Sequence, residues 1–113
     1  MTNKVSVIIV NWNGEPFLTR CLTALLAQTV TPHEIILLDN ASTDGSIEII
    51  RRFPSVQLIA LDQNTGFARG NNLAVVEASK ESEWIALLNP DAFVEADWLE
   101  TLLESAKSNP EFD

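Results

Sequence analysis

Seven residues in this chain have the type and placement to do chemistry: Asn11, Trp12, Asn13, Asp39, Arg69, Asn89 and Asp91. Asp39 ends the apolar run EIILLD and opens NASTDGS, while Asn89 and Asp91 end WIALLNPD. Apolar strands that stop on carboxylates and amides point to a ligand crevice at the carboxyl edge of a parallel sheet. A carboxylate at Asp39 can accept hydrogen bonds from a base edge or from ribose hydroxyls. It can equally serve structure, as an Asx turn or helix cap for DNASTDG. Asp91 is a hard oxygen ligand suited to Mg²⁺ or Mn²⁺ when substrate phosphates complete the shell. Asn89 and Asp91 flank Pro90, so both side chains can face one pocket, although NPD is also ordinary turn chemistry.

Arg69 lies in NTGFARGNN, Asn64 to Asn72. Its guanidinium offers a fork of donors to a phosphate, or an ion-pair partner to a surface acid. Asn71 and Asn72 are polar for the first turns of a buried helix, and one of them is expected to bridge backbone groups of adjacent loops. Trp12 can stack on a ring or cover the sheet edge, with Asn11 and Asn13 beside it. GFARG is not GxGxxG, and the chain has no P-loop, so the dinucleotide and Walker signatures are missing. His33 is the only histidine and Cys21 the only cysteine. They offer no Ser–His–acid or Cys–His pair and no zinc cluster. His33 reads as a loop residue, Cys21 as core, and Asp44-Gly45 as turn chemistry.

These residues need elements to hold them. Val5 to Val10 is a continuous β-branched run suited to a strand covered on both faces. Pro16 can occupy the first turn of a helix, and Phe17, Leu18, Cys21, Leu22, Leu25 and Leu26 repeat as one helical face. A second strand is expected over Glu34 to Leu38. Ser42 or Thr43 can cap a short helix from about Asp44 to Arg52. A third strand covers Val56 to Leu61, a helix about Phe67 to Lys80, and a fourth strand Trp84 to Leu88, where Pro90 stops the ladder. The last helix is expected over Ala96 to Lys107, with Trp98, Leu99, Leu102 and Leu103 inward. Four strand–helix units predict a parallel α/β sheet with helices on both faces and right-handed crossovers.

The length of 113 residues fits one domain, large enough to bury roughly two-thirds of its unfolded surface. The hydrophobic fraction of 46% and charged fraction of 20% are those of a globular protein. The net charge of -9 argues against a nucleic-acid backbone as partner and against adsorption to an anionic membrane. It leaves room for an anionic small ligand, which backbone amides and a cation can hold locally. VSVIIV is far too short to span a bilayer, and no other segment reaches that length. A lone cysteine excludes an internal disulfide and suits a reducing cytoplasm. The closing stretch SAKSNPEFD follows a helix pattern with no further element, which leads us to expect a piece of a longer protein.

VSVIIVNWNG, EIILLDNASTDGS, LDQNTGFARGNN and WIALLNPDA, in this order and spacing, resemble the family 2 glycosyltransferases of the Rossmann-like GT-A fold, in their bacterial rhamnosyltransferase-like branch. The resemblance covers about residues 5–105. It implies that residues 1–113 form the nucleotide-sugar donor part, with the acceptor half elsewhere. The loop at Asn11 would border the base, and Asp39 would hydrogen-bond it, usually uracil or thymine. The segment around Arg69 would line the diphosphate side. Asn89 to Asp91 stand where the family carries its DxD motif. Asp91 would coordinate Mg²⁺ or Mn²⁺, and Asn89 replaces the first aspartate. The implied reaction transfers a sugar from a UDP- or dTDP-linked donor, dTDP-rhamnose among them, to a hydroxyl of a carbohydrate or glycolipid acceptor, with inversion. The general base that inversion requires is expected beyond residue 113. The parent would work in polysaccharide synthesis, in the cytoplasm or at the cytoplasmic face of a membrane.

Two other readings compete. A nucleotidyltransferase usually carries a Gly- and Lys/Arg-rich phosphate loop after its first strand, where this chain has NWNGEPF. A non-catalytic regulatory or assembly domain of similar build, receiver-like for example, would pair a phosphorylatable Asp with an acidic cluster, whereas the first strand here ends in amides.

Overall fold

A computed structural model of the chain describes residues 4–108. Residues 109–113, which end the SAKSNPEFD stretch, lie outside the described residues. The elements alternate: β1 (Val5–Asn11), α1 (Glu15–Leu26), β2 (Glu34–Asp39), α2 (Ser46–Ile50), β3 (Val56–Ala60), α3 (Phe67–Val76), β4 (Trp84–Leu88) and α4 (Trp98–Ser108). The four strands form one parallel sheet in the order β3-β2-β1-β4. The chain steps outward from β1 to β3 and then returns past β1 to lay down β4 on its other side. The direction of winding therefore reverses between β1 and β4, and the loops after these two strands diverge to leave a crevice there.

Side-chain alternation divides the core in two. Val5, Val7 and Ile9 of β1 face α1, α2 and α4, burying Leu18, Cys21, Leu22, Leu25, Ile50, Leu99 and Leu103 with them. Ile8 and Val10, with Ile36 and Leu38 of β2, face α3 and bury Ala74. Each buried Leu or Ile contributes about 1.5–3 kcal/mol relative to exposure, and the larger share lies on the three-helix side. Gly70 lets α3 sit close on its own side, since an added Cβ would come 3.0 Å from Val10 Cγ1 and 3.4 Å from Leu38 Cδ2.

With one helix on that side, β4 is not covered there. Ile85 and Leu87 share the α3 face by their register with Ser6 and Ile8, and they are 43% and 56% exposed. Leu102, expected inward, is also exposed, because α4 packs at the rim of the sheet, where β4 pairs only with β1. Gln28 fixes the start of α4: its Oε1 accepts from the Leu99 amide at 2.9 Å and its Nε2 donates to Glu95 O at 2.7 Å.

The elements match the expected alternation, with corrections at their ends. α2 starts at Ser46 rather than Asp44, and neither Ser42 nor Thr43 caps it. Ser42 is occupied with Asp39 and Asn13. Asp44 instead accepts from the Ser46 amide and hydroxyl, an Asx turn ahead of the helix. α3 stops at Val76 rather than Lys80, where the Glu77 and Ala78 amides turn back to Ala74 O and Val75 O.

Candidate functional site

The site is built at the carboxyl ends of β1, β2 and β4. Three alternating residues, one ending β1, one in the loop after it and one opening α1, reach over to the loop after β2. Asn11 Nδ2 donates to Asp39 Oδ1 at 2.9 Å and to Ser42 Oγ at 3.3 Å. Asn13 Oδ1 accepts from the Thr43 amide at 2.8 Å, while its own amide donates to Ser42 Oγ at 2.9 Å. Glu15 Oε1 accepts from the Gly45 amide at 2.8 Å. Two residues make the turns at positive φ, Asn13 at 53° and Ala41 at 63°. Asparagine tolerates that region better than most residues.

Asp39 is 1% exposed. Its Oδ1 accepts from Asn11 and from the Ser42 hydroxyl at 2.7 Å, and its Oδ2 accepts from the Ser42 amide at 2.9 Å. An Asp committed in this way is closed to a phosphoryl donor, and β1 beside it ends in Asn11 rather than an acid. Both facts run against the receiver-like reading. Burial opposes ionisation of Asp44, yet hydrogen bonds from the Ser46 hydroxyl, the Ser46 amide and the Glu15 amide outweigh it and hold that carboxyl below the usual range.

Between the ends of β1 and β4 lies an open crevice of about 510 Å³. Its lining comes from the residues after β1 and β2 (Trp12, Asn13, Gly14 and Asn40), from the connection between β3 and α3 with the start of α3 (Asn64 and Phe67), and from the loop after β4 (Asn89, Pro90 and Asp91). Trp12 and Phe67 are more than half exposed, so their rings are open to a ligand. Asp91 is exposed and is the only carboxylate in the lining. Behind this wall Cys21 points its thiol at Asn89 O, 3.9 Å away. Burial, and then the negative charge of Asp91, push the thiol up to about 11. A second groove of about 210 Å³ runs between β4 and α4, but its lining is apolar and offers no reactive group.

Of the seven candidates, Trp12, Asn13, Asn89 and Asp91 line the crevice, while Asn11 and Asp39 lie beneath it as its support. Arg69 is not brought into the lining; it stands exposed in the first turn of α3. The bridge between loops, expected from Asn71 or Asn72, is made by Asn40. Asn71 only turns back to Phe67 O. Sequence reasoning gave Asn40 and Asn64 no role of their own and Ser42 only that of a helix cap. The signal available was a second polar residue directly after an apolar strand, in DNAS.

No group of three or more His, Cys, Asp or Glu side chains able to hold a metal occurs among the described residues. The donor set at Asp91 is one carboxylate with neighbouring amide oxygens. That fits a cation which draws its other ligands from phosphate and water, not one caged by protein alone.

The Glycosyl transferase family 2 model matches residues 6–112. The chain belongs to this glycosyltransferase family. The N-acetylglucosaminyl-diphospho-decaprenol L-rhamnosyltransferase of Mycobacterium tuberculosis is 28% identical over 120 residues, covering 97% of this chain and 39% of the relative. The mannosyltransferase PcManGT of Pyrobaculum calidifontis, solved with GDP-Man and Mn²⁺, superposes with a TM-score of 0.78 at 27% identity, covering 92% of this chain and 31% of that one. S. aureus TarS in complex with UDP superposes with a TM-score of 0.82 at 23% identity, over 95% of this chain and 33% of that one. The fold is thus the Rossmann-like GT-A arrangement, a parallel sheet flanked by helices. The chain spans well under half the length of these three proteins. Among the described residues, no helix is long and apolar enough to cross a membrane.

Proposed function

We propose that these residues are the donor-binding part of an inverting family 2 glycosyltransferase that takes a UDP- or dTDP-sugar and delivers the sugar to an acceptor hydroxyl bound by the rest of the parent protein. The observation that carries this reading is the crevice at the β1/β4 reversal, walled by Trp12 and Asn13 on one side and by an exposed Asp91 on the other. Trp12 offers its ring to the base, and the Asp39–Asn11–Ser42 network beneath holds the base-side loop in place. Arg69, at the start of α3, is the cation available to the diphosphate from that side. Asn89 offers its amide to a ribose hydroxyl or to a water on the metal. Asp91 holds Mg²⁺ or Mn²⁺, and that ion would offset charge on the departing diphosphate. The general base and the acceptor site belong to the remainder of the parent. The bare face of β4, where Ile85 and Leu87 are exposed, supports that remainder as its occupant, given relatives some two to three times as long.

The rhamnosyltransferase relative supports dTDP-rhamnose as one donor to try, and the mannosyltransferase keeps other sugars in view. The test is calorimetric titration with UDP and dTDP in Mn²⁺, in Mg²⁺ and in EDTA, on the wild type and on Asp91→Ala. We expect binding that needs the cation and falls at least tenfold in the variant. Binding indifferent to both EDTA and the substitution would remove the metal assignment. No binding of either nucleotide would remove the donor reading.

A further inference from the structure

We infer that Phe93 is a positioning residue for Asp91: its ring ties the loop after β4 to α1 and engages Arg20, the α1 cation that would otherwise pair with that carboxylate. The inference rests on the metal-site reading of Asp91 above and goes beyond it by naming what keeps the carboxylate available. The loop begins with a turn, in which the Ala92 amide donates to Asn89 O at 3.0 Å. Cys21 of α1 also directs its thiol at Asn89 O, 3.9 Å away. Beyond the turn, Ala92 and Val94 pack against the core, while Phe93 between them is 40% exposed. Its ring lies against α1. The Phe17 ring is 6.3 Å away between centroids and tilted by 46°, and the Arg20 guanidinium carbon lies 4.2 Å from the Phe93 centroid. Both contacts have the spacing of attractive aromatic and cation–π pairs.

These contacts bracket Asp91. Asn89, two residues before it, touches Cys21, and Phe93, two residues after it, touches Arg20, the neighbour of Cys21 in the chain. Arg20 therefore stands beside the turn that carries Asp91. Among the described residues neither Arg20 nor Asp91 has an ion-pair partner. The Phe93 ring gives the guanidinium a seat other than the carboxylate. An exposed cation–π contact and an exposed ion pair are of similar strength, so one ring is enough to shift the balance between them. The consequence for a metal is direct. A divalent ion that takes a single carboxylate from the protein must displace any arginine paired with it before binding. With Arg20 seated on Phe93, both oxygens of Asp91 are left to the ion. Phe17 joins this arrangement to the crevice, since it lines that space with Asp91 and rests against the Phe93 ring.

The test measures Mn²⁺ affinity from the loss of the free-ion EPR signal, with UDP or dTDP in excess. The proteins are the wild type, Phe93→Leu, Phe93→Trp, Arg20→Gln, Phe93→Leu with Arg20→Gln, and Asp91→Ala. Leucine keeps apolar bulk but offers no ring to the guanidinium, whereas tryptophan keeps the ring. The expected result is Mn²⁺ affinity roughly threefold weaker in Phe93→Leu, the scale of an exposed ion pair, with Phe93→Trp close to wild type. Arg20→Gln alone should bind as the wild type does, and combined with Phe93→Leu it should restore the affinity. A packing role could not produce that rescue, since a loosened loop stays loose when Arg20 is removed. If the wild type takes up Mn²⁺ through Asp91 but Phe93→Leu is unchanged, or is weakened without rescue, the inference is overturned while the metal reading stands. Weaker binding in Arg20→Gln alone would make Arg20 a ligand contact and overturn it likewise. If the wild type takes up no Mn²⁺ with either nucleotide, or Asp91→Ala takes up as much, the metal reading falls and the inference with it. Melting curves show whether each variant folds. Phe93→Met, which also lacks a ring, replaces Phe93→Leu if that variant does not fold, and failure of both would make Phe93 a stability residue and overturn the inference.

Discussion

The two walls of the crevice treat their carboxylates in opposite ways. On the β1–β2 side, Asp39 is buried and accepts three hydrogen bonds from Asn11 and Ser42. On the β4 side, Asp91 is exposed in the lining of the crevice. One acid ends β2 and the other lies three residues past the end of β4. The neighbours make the difference. β2 has a strand on each side, so its terminal residue is enclosed and must satisfy its own charge within the protein. β4 pairs on one side only, and the loop after it opens into solvent. The enclosed acid builds the wall, and the open one stands exposed in the crevice.

The largest expected effect breaks this contrast on the enclosed side. Asp39→Ala strands the Asn11 side-chain amide and the Ser42 amide, and should cost about 3 kcal/mol, or roughly 15 °C in Tm. Asp91→Ala should melt within about 0.5 kcal/mol of wild type, as surface substitutions do. Denaturant unfolding of both variants checks the pair. Equal losses would mean that Asp91 is as much a structural acid as Asp39, and the division of labour would fail.

A smaller effect sharpens the comparison at the floor between the walls. Gly14 has φ −93° and ψ 21°, which any residue can adopt, so conformation does not demand glycine there. Space does: an added Cβ would overlap Asn11 Oδ1 and meet Pro90 Cβ at 3.4 Å. Asn11 cannot swing away, because its Nδ2 is held by Asp39 and Ser42. Its Oδ1 is already buried without a hydrogen-bond partner. Gly14→Ala should therefore cost about 2 kcal/mol through overpacking. In a double-mutant cycle with Asn11→Ser, which makes room, it should show coupling of about 1 kcal/mol. Additive losses would mean that the two residues do not share the space as described.

The sheet was legible in the sequence because continuous apolar runs carry little ambiguity. Trp84 to Leu88 was expected as β4 and is β4, and the alternation of strands and helices fixed a parallel sheet. Legibility failed where side chains compete with the backbone. The turn chemistry expected at Asp44-Gly45 is there, but it commits the Asp44 carboxylate to Ser46 and so delays the start of α2 past Asp44. Asn40 looks like one more turn former in DNAS, because nothing local reveals that its partner is a peptide 25 residues away. Leu102 fits the apolar stripe of α4 but is exposed, since a stripe does not say whether a neighbour exists to cover it. The resemblance carried the identity of the acids at both walls. It did not tell which acid is enclosed, because that depends on the strand order.

The smallest effect tests what stands behind the open wall. Cys21 is fully buried, and its thiol is held up to about 11 by burial and by Asp91, against an ordinary value of 9.0. Raising the folded-state value means that the native protein keeps a proton which the unfolded chain releases. The sign follows: this contribution to stability is whole below about pH 9 and is lost as pH rises from there through about 11. Unfolding of the wild type measured at pH 8 and at pH 10.5 should therefore show a loss that Cys21→Ala lacks, on the order of 1 kcal/mol. At pH 8 the native thiol should also resist alkylation until the protein is unfolded. Rapid alkylation of the native protein would mean that Asn89 and Asp91 stand on a loop that opens readily, and that the open wall is mobile as well as exposed. Resistance would mean that Asp91 is presented on a fixed backbone with its side chain alone left free, the arrangement a metal ligand completed by substrate requires.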